Sequence, residues 1–252
     1  MKVRFFSAFE PPFTFYRDLL PYLVNKGLDV ELVISRSEYR KGRNDIEGDL
    51  EKQGIRITNV PTIRTGNKSL NRIFTYAIYC LFASVYSLFS GQYDLNYFLS
   101  QPPFYALWGY ILRIFRRQKY CVLVMDLHPH IAVNAGILKK NSLLTNFLFS
   151  ISKLLLTEAD KIFVLGRCME NTILKEGVDE EKITVIRNWS NTNIHQIQAK
   201  DNFYRKDLGL SGKFIVQYAG NMGVSHYFQD LLQAAKELRL KDDIRFVFIN
   251  NW

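Results

Sequence analysis

One stretch of the sequence, VMDLHPHIAVNAG, places Asp126 and His130 directly after a strongly apolar run. If that run is a strand of a parallel sheet, these side chains lie at its carboxyl end, where ligands bind. A carboxylate and an imidazole there are suited to binding an acceptor hydroxyl or moving a proton. The alternative is that Asp126 caps the following turn and that His128 and His130 are surface residues.

Two further stretches carry residues suited to phosphate. Arg187 follows an apolar run in ITVIRNWSN, where it faces either a phosphate or water. Gly220, Asn221 and Gly223 form the turn GNMG between an apolar run and a helical pattern. Backbone amides at such a turn, with the positive end of the helix, suit a diphosphate. The alternative is a tight turn with no ligand.

Several common kinds of site are not expected. The first apolar run leads into SAFEPPF, which has no glycine, so the sequence lacks the glycine-rich loop that binds NAD or FAD. The three cysteines are far apart, which fits a reducing cytosol and predicts neither disulfides nor zinc. The pair His128 and His130 lacks an identifiable third ligand. We therefore expect no metal and no cofactor. The beginning of the chain predicts a strand and not a signal peptide.

Predicted strands and helices, which must position these residues, alternate along the chain. Short apolar runs separated by longer helical patterns predict crossover connections and a parallel sheet covered on both faces, a Rossmann-like domain. The predicted strands are Val3–Ser7, Val30–Ser35, Ile55–Val60, Leu95–Leu99, Tyr120–Val124, Lys161–Leu165 and Ile183–Ile186. The predicted helices are Thr14–Lys26, Leu70–Phe89, Phe104–Phe115, Ser142–Thr157 and Arg167–Glu176.

The pattern predicts three regions: a first domain over residues 1–189, a polar linker over 190–212 and a second domain over 213–252. The second region begins the pattern again, with strand Lys213–Ala219, helix Tyr227–Arg239 and strand Ile244–Ile249. One strand–helix–strand unit cannot cover both faces of a sheet by itself. We therefore expect an incomplete second Rossmann-like domain.

The formal charge of +9 is concentrated in one segment. Between Lys52 and Lys153 there are 12 lysines and arginines but only Asp94 and Asp126. Nucleic-acid-binding motifs are not evident, whereas the aromatic and aliphatic neighbours of these cations favour an anionic membrane surface. The cations expected to face the membrane are Lys68, Arg72, Arg113, Arg116, Arg117 and Lys119.

The segment Ile73–Tyr93 carries no charge and approaches the length of a bilayer-spanning helix. Three interpretations remain open. The helix spans a membrane, or it lies in the interface with its tyrosine rings at headgroup depth, or it is buried against the sheet.

Four stretches, in order, resemble the family 4 glycosyltransferases of the GT-B fold, in the branch that builds bacterial O-antigen, capsule or exopolysaccharide. They are YLVNKGLDVELVIS, VMDLHPHIAVNAG, KIFVLGRCMENTILKEGVDEEKITVIRNWSN and FIVQYAGNMGVSHYFQDLLQAAKEL. Asp29 stands where the family usually has histidine, Gly166 where serine is common and Arg187 where proline is common.

The resemblance implies an enzyme that moves a sugar from a nucleotide diphosphate to a lipid-linked saccharide, with retention of configuration and no obligatory metal. It implies that Asp126 and the loop at Glu10 line the acceptor side, and that Gly220, Asn221 and Gly223 meet the donor diphosphate. Such an enzyme is peripheral to the inner face of the plasma membrane.

The resemblance stops before the family's two-glutamate motif E-x7-E, which holds the transferring sugar and the ribose. We therefore expect this chain to be truncated relative to the family and inactive alone. The alternative is a non-catalytic, membrane-associated module that binds a lipid-linked saccharide.

Overall fold

The computed structural model describes residues 1–8, 15–35, 43–62, 69–189, 203–220 and 228–249. Its internal contacts divide the chain into two units, Met1–Asn191 and Thr192–Trp252. Glu10, Lys68, Asn221 and Gly223, which the sequence singles out, lie outside the described residues.

A parallel sheet of seven strands forms the centre of the first unit. Its strands lie in the order β3-β2-β1-β4-β5-β6-β7, and β1 pairs in parallel with both β2 and β4. The bounds are β1 Lys2–Ser7, β2 Asp29–Ser35, β3 Arg56–Val60, β4 Leu95–Leu99, β5 Lys119–Val124, β6 Lys161–Val164 and β7 Ile183–Val185. The seven predicted strands are confirmed, with ends that differ by one residue or less.

The helices of the first unit connect these strands in turn. Their bounds are α1 Phe15–Asn25, α2 Arg43–Lys52, α3 Ser69–Phe89, α4 Ala106–Arg116, α5 His130–Asn134, α6 Leu143–Glu158 and α7 Arg167–Lys175, followed by a short 3-10 turn at Glu180–Lys182. The sequence pattern did not predict α2 or α5. The first is highly charged and the second is a single short turn.

Two apolar cores lie on the two faces of this sheet. Helices α1 and α2 pack on one face through Tyr16, Leu20 and Leu50. Helices α3, α4 and α6 pack on the other, which contains Tyr79, Ala106 and the alternate strand residues such as Phe98. This alternation along each strand is what a sheet covered on both faces requires. The predicted Rossmann-like domain is confirmed.

Helix α4 lies very close to the sheet because Gly109 has no side chain. A Cβ atom at this position would lie 2.7 Å from the Phe98 ring and 2.8 Å from the Tyr120 ring. The tight approach brings the helix onto β4 and β5, so the loop before α4 is held near the carboxyl ends of both strands.

A buried polar network joins strands β1, β2 and β3 to the side of α3 that faces the sheet. Arg4 on β1 and Glu31 on β2 form a fully buried ion pair, with 2.6 Å between Arg4 Nε and Glu31 Oε2. The Tyr86 hydroxyl of α3 donates to Glu31 Oε1 at 2.5 Å, and Thr58 of β3 donates to the same oxygen at 2.8 Å.

The second unit consists of α8 Phe203–Asp207, β8 Phe214–Ala219, α9 Gln229–Glu237 and β9 Ile244–Ile249. Strands β8 and β9 pair in parallel, as the sequence predicts. Among the residues of this unit that the structure describes, none is fully buried.

Candidate functional site

The carboxyl ends of β4 and β5 lie side by side and bring Ser100 and Asp126 together. The Ser100 hydroxyl oxygen accepts hydrogen bonds from the backbone N–H groups of Met125 and Asp126, both at 3.0 Å. The side-chain amide of Gln101 donates to Asp126 Oδ2. The loop after β4 therefore fixes both the backbone and one carboxylate oxygen of Asp126.

These contacts bear on the two interpretations of Asp126. A capping carboxylate would accept from the backbone of the following turn, but α5 begins after Pro129 without a side-chain cap. Oδ1 of Asp126 accepts no hydrogen bond from the described residues. An oriented carboxylate with one oxygen available is suited to accepting a hydrogen bond from a ligand hydroxyl.

A small cavity lies beside Asp126, between α4 and α6. Its volume is about 50 Å³, which is room for a few water molecules and not for a saccharide. Asp126, Ser100, His128 and Ser152 give it a polar side, and the remaining lining is mostly apolar: Leu99, Phe104, Ala106, Val122, Val124, Leu127, Leu155 and Leu156.

His128 is not the surface residue that one interpretation of the sequence allowed. Its Nε2 atom is buried and has no hydrogen-bond partner among the described residues. Burial lowers the pKa of His128, although the nearby charge of Asp126 acts in the opposite direction. The ring is therefore neutral near pH 7.

His130 is held by a different set of neighbours from Asp126. Its Nε2 atom lies 3.1 Å from Glu176 Oε1, at the end of α7, and its ring meets the Phe149 ring edge-on at 4.8 Å. Burial raises the pKa of Glu176, while the charges of His130 and Lys153 oppose that shift. Among the described residues no hydrogen bond joins His130 to Asp126, so the two predicted acceptor residues lie at the same edge of the sheet but have different partners.

Arg187 lies two residues beyond the end of β7, and its side chain is exposed. The chain after it returns toward α1, where the Trp189 indole donates to Asp18 Oδ2 at 3.1 Å. Arg187 is therefore at the predicted edge of the sheet, two strands away from β5. Its role toward a phosphate stays a prediction.

Gly220 follows β8 in the second unit with a φ of +150°, a conformation that residues with a side chain rarely adopt. Its N–H group donates to the Ile249 carbonyl at 3.0 Å. Since this amide is used within the β8–β9 pair, Gly220 is available to shape the turn and not to donate to a diphosphate.

The predicted membrane cations differ in their surroundings. Arg113 pairs with Asp160 at 2.9 Å and donates to the Glu158 carbonyl, so its charge is compensated within the protein. Arg116 donates to the carbonyls of Ser87 and Leu88, and Arg117 and Lys119 are exposed. Arg72 lies in the first turn of α3, and its side chain is outside what the structure describes.

Sequence reasoning missed Ser100, Gln101 and Glu176. Two polar residues directly after an apolar run, as in FLSQ, are a usable signal for the first two. The contact between Glu176 and His130 joins residues that are far apart in the sequence, so it could not be predicted without the fold. No group of three or more metal-ligating side chains occurs among the described residues.

Comparison with known proteins gives three kinds of match. Residues 14–189 match a family described as the glycosyl transferase 4-like domain. The probable glycosyltransferase WbjE of Pseudomonas aeruginosa is 29% identical over 135 residues, which are 53% of this chain and 33% of that protein. The match thus spans about a third of that curated relative.

Among solved structures, Anabaena Alr3699/HepE in complex with UDP-glucose is 15% identical, with a TM-score of 0.56 over 100% of this chain and 70% of that chain. A sucrose-phosphate synthase from Thermosynechococcus elongatus is 13% identical, with a TM-score of 0.60 over 99% of this chain and 70% of that chain. At these identities the likeness shows the fold, which is the GT-B fold that the sequence predicted.

Proposed function

The chain belongs to the glycosyl transferase 4-like domain family, and from that premise we propose that it acts in moving a sugar from a nucleotide diphosphate to a hydroxyl group of a lipid-linked saccharide. Retention of configuration and a role in surface polysaccharide synthesis are parts of the same proposal. The acceptor is proposed to bind the first unit, and the donor is proposed to bind the second. No resident cofactor or metal is part of the proposal.

The observation that carries the acceptor side is the orientation of Asp126. Ser100 and Gln101 fix it at the carboxyl edge of β5 and leave Oδ1 without a partner among the described residues. We propose that Oδ1 accepts a hydrogen bond from the acceptor hydroxyl and draws its proton as the new bond forms. His130 and the loop at Glu10 are proposed to bind other parts of the acceptor.

On the donor side we propose that Asn221 and Gly223, with the helix that follows, bind the diphosphate. Arg187, in the first unit, is proposed separately as a residue that can bind a phosphate. Support comes from the position of Gly220 at the end of β8, where ligands bind in sheets of this kind. The solved HepE structure contains UDP-glucose. We therefore choose UDP-glucose as the probe for this chain.

The lipid-linked acceptor leads us to propose that the protein is peripheral to the inner face of the plasma membrane. Support comes from the charge: Arg117 and Lys119 are exposed, and no aspartate or glutamate occurs in residues 104–119. Attraction to anionic lipid is worth about 1 kcal/mol per cation near the surface.

A second candidate function is a membrane-associated module that binds the lipid-linked saccharide without transferring sugar. The observation that favours it is the low burial of the second unit, in which no described residue is fully buried. Binding of UDP-glucose distinguishes the two candidates, since only the enzyme needs a donor.

Replacing Gly220 with valine is expected to weaken UDP-glucose binding at least about tenfold, a loss of about 1.4 kcal/mol. A Cβ atom at Gly220 would meet nothing closer than 3.7 Å, so the effect comes from the backbone conformation of the turn and not from a clash. Isothermal calorimetry measures the affinity, and thermal unfolding of the first unit should be unchanged.

Gly212→Val is the matched control, because Gly212 also has a positive φ, +73°, and also lies in the second unit. Equal losses in both variants would mean that the second unit is disturbed as a whole. Tight UDP-glucose binding that is insensitive to Gly220→Val would place the donor elsewhere.

A further inference from the structure

The long helix α3 exposes its apolar side chains, which is the opposite of an ordinary surface helix. A helix on a protein surface normally turns apolar residues to the core and polar residues to water. Between positions 73 and 89, every exposed residue of α3 is apolar: Ile73, Phe74, Ala77, Leu81, Phe82, Val85, Leu88 and Phe89. Phe74, Ala77, Leu81, Val85 and Leu88 follow the three- and four-residue spacing of a single stripe. We call this set the α3 outer face.

The polar side chains of the same helix are directed into the protein. The Tyr79 hydroxyl donates to the Val33 carbonyl at 2.9 Å, and Ser87 accepts from the Trp108 indole at 2.7 Å. The expectation that the tyrosine rings of this segment lie at headgroup depth is therefore wrong for Tyr79, which is fully buried, and for Tyr86, which binds Glu31. The inner surface satisfies a buried polar network, whereas every residue of the α3 outer face is exposed.

The end of α4 extends the α3 outer face and adds positive charge to its border. Arg116 donates to the carbonyls of Ser87 and Leu88 at the end of α3, which fixes the two helix ends together. Beside it, Phe115 is 80% exposed and Ile114 is 55% exposed. Arg117 and Lys119 follow, and no aspartate or glutamate occurs in residues 69–89 or 104–119.

We propose that the α3 outer face and the exposed end of α4 insert into the interfacial layer of an anionic lipid bilayer. Helix α3 is 21 residues long, about 30 Å, and presents one apolar side bordered by cations, as helices that lie in a membrane interface do. Among the described residues no helix is long and apolar enough to cross a membrane. Strands β3 and β4, which α3 connects, lie in the same sheet, so the proposal places the helix in the plane of the membrane surface.

The charge pattern favours lipid over a second copy of the chain. In a twofold dimer the same patch meets itself, so Arg117 and Lys119 of one copy would approach the cations of the other. An anionic bilayer offers apolar depth and opposite charge in one surface.

The consequence of membrane binding for the acceptor rests on the proposed function. The loop that holds Asp126 through Ser100 and Gln101 leads directly into α4. A bilayer-bound α4 would therefore keep Asp126 close to a saccharide whose lipid remains in the membrane. The acceptor class that fits is one with its lipid anchored in the bilayer, and not a soluble sugar.

Flotation of the full 252-residue chain with lipid vesicles tests this proposal. We expect binding to vesicles of phosphatidylcholine mixed with phosphatidylglycerol, and weaker binding to phosphatidylcholine alone. The double variant Leu81→Gln/Phe89→Gln removes two side chains that are 60% and 84% exposed, and should lower vesicle binding at least about tenfold. Tyr22→Gln, at a 58% exposed position of α1 on the other sheet face, should bind as the unchanged protein does.

Thermal unfolding of the double variant should match that of the unchanged protein, and Ile73→Gln/Phe74→Gln provides a second pair if it does not. Vesicle binding that is absent, or unaffected by both pairs, overturns the proposal. A dimer in analytical ultracentrifugation that the double variant makes monomeric also overturns it, in favour of a second copy. Because vesicle binding requires neither donor nor acceptor, its failure is distinct from failure of the proposed sugar transfer.

Discussion

Replacing Glu31 with glutamine is expected to lower the free energy of unfolding of the first unit by about 3–5 kcal/mol. The substitution leaves the Arg4 guanidinium buried without its counter-charge, and both side chains of the pair are fully buried. Hydrogen bonds from Thr58 and Tyr86 to Glu31 would also weaken, because an amide oxygen is a poorer acceptor than a carboxylate. Urea unfolding followed by circular dichroism measures the loss.

Two variants serve as controls for this result. Glu51→Gln, at an exposed position of α2, should change the free energy of unfolding by less than about 0.5 kcal/mol. Arg4→Met/Glu31→Leu removes both charges and should recover much of the loss, since an apolar pair of similar volume often replaces a buried ion pair at little cost. A loss below about 1 kcal/mol for Glu31→Gln would show that the pair is not needed.

The same pair gives the first unit a defined response to acid. Burial of Glu31 acts to raise its pKa, but hydrogen bonds from Tyr86 and Arg4, together with the charge of Arg4, outweigh it and lower the pKa. A carboxyl group with a lowered pKa in the folded state stabilises the fold above its unfolded value, about 4.3, and loses that contribution as the pH falls through the folded value. Stability should therefore decline in acid, and the decline should be smaller in Glu31→Gln.

The second large effect concerns catalysis. The 252-residue chain alone is expected to transfer sugar far below the usual enzymatic range of about 1–1000 per second. Groups that stabilise a departing diphosphate must be held rigidly to be effective, and each is worth about 10²–10³ in rate. No described residue of the second unit is fully buried, so we expect this unit to hold such groups too loosely for catalysis, although it can still bind the donor.

A panel of radiolabelled nucleotide sugars with a lipid-linked acceptor extract measures this rate. Limited proteolysis of the same sample should cleave beyond residue 189 first and leave the first unit protected, since segments with few buried contacts open most readily. Transfer at an ordinary rate, or equal resistance of both units to protease, would show that the second unit is more rigid than its burial indicates.

The strands were predictable because a sheet covered on both faces needs continuous apolar runs, and those runs are visible in segments such as Tyr120–Val124 and Lys161–Leu165. Helix α2 was not predictable, because its sequence RNDIEGDLEK has no clear apolar stripe. Its Leu50 is nevertheless buried, and a single residue of this kind is not a recognisable pattern.

The site was predictable only in part. The position of Asp126 after a buried strand predicts its edge of the sheet, since ligands bind at the carboxyl ends of parallel strands. Its partners Ser100 and Gln101 are adjacent because β4 lies beside β5, and no local pattern specifies that neighbour. The exposed side of α3 could not be predicted either, because residues 73–89 contain no charged side chain that must face water.

Binding of the acceptor by Asp126 is the most direct test of the proposed site. The measurement is a calorimetric titration of the 252-residue chain with a short-prenyl, diphosphate-linked hexosamine as probe. Asp126→Asn is expected to weaken binding at least about tenfold, which corresponds to about 1.4 kcal/mol. Asp49→Asn, at an exposed position of the same unit, should bind as the unchanged protein does. Unchanged affinity in Asp126→Asn, with thermal unfolding also unchanged, would contradict the assignment of the acceptor to this edge of the sheet.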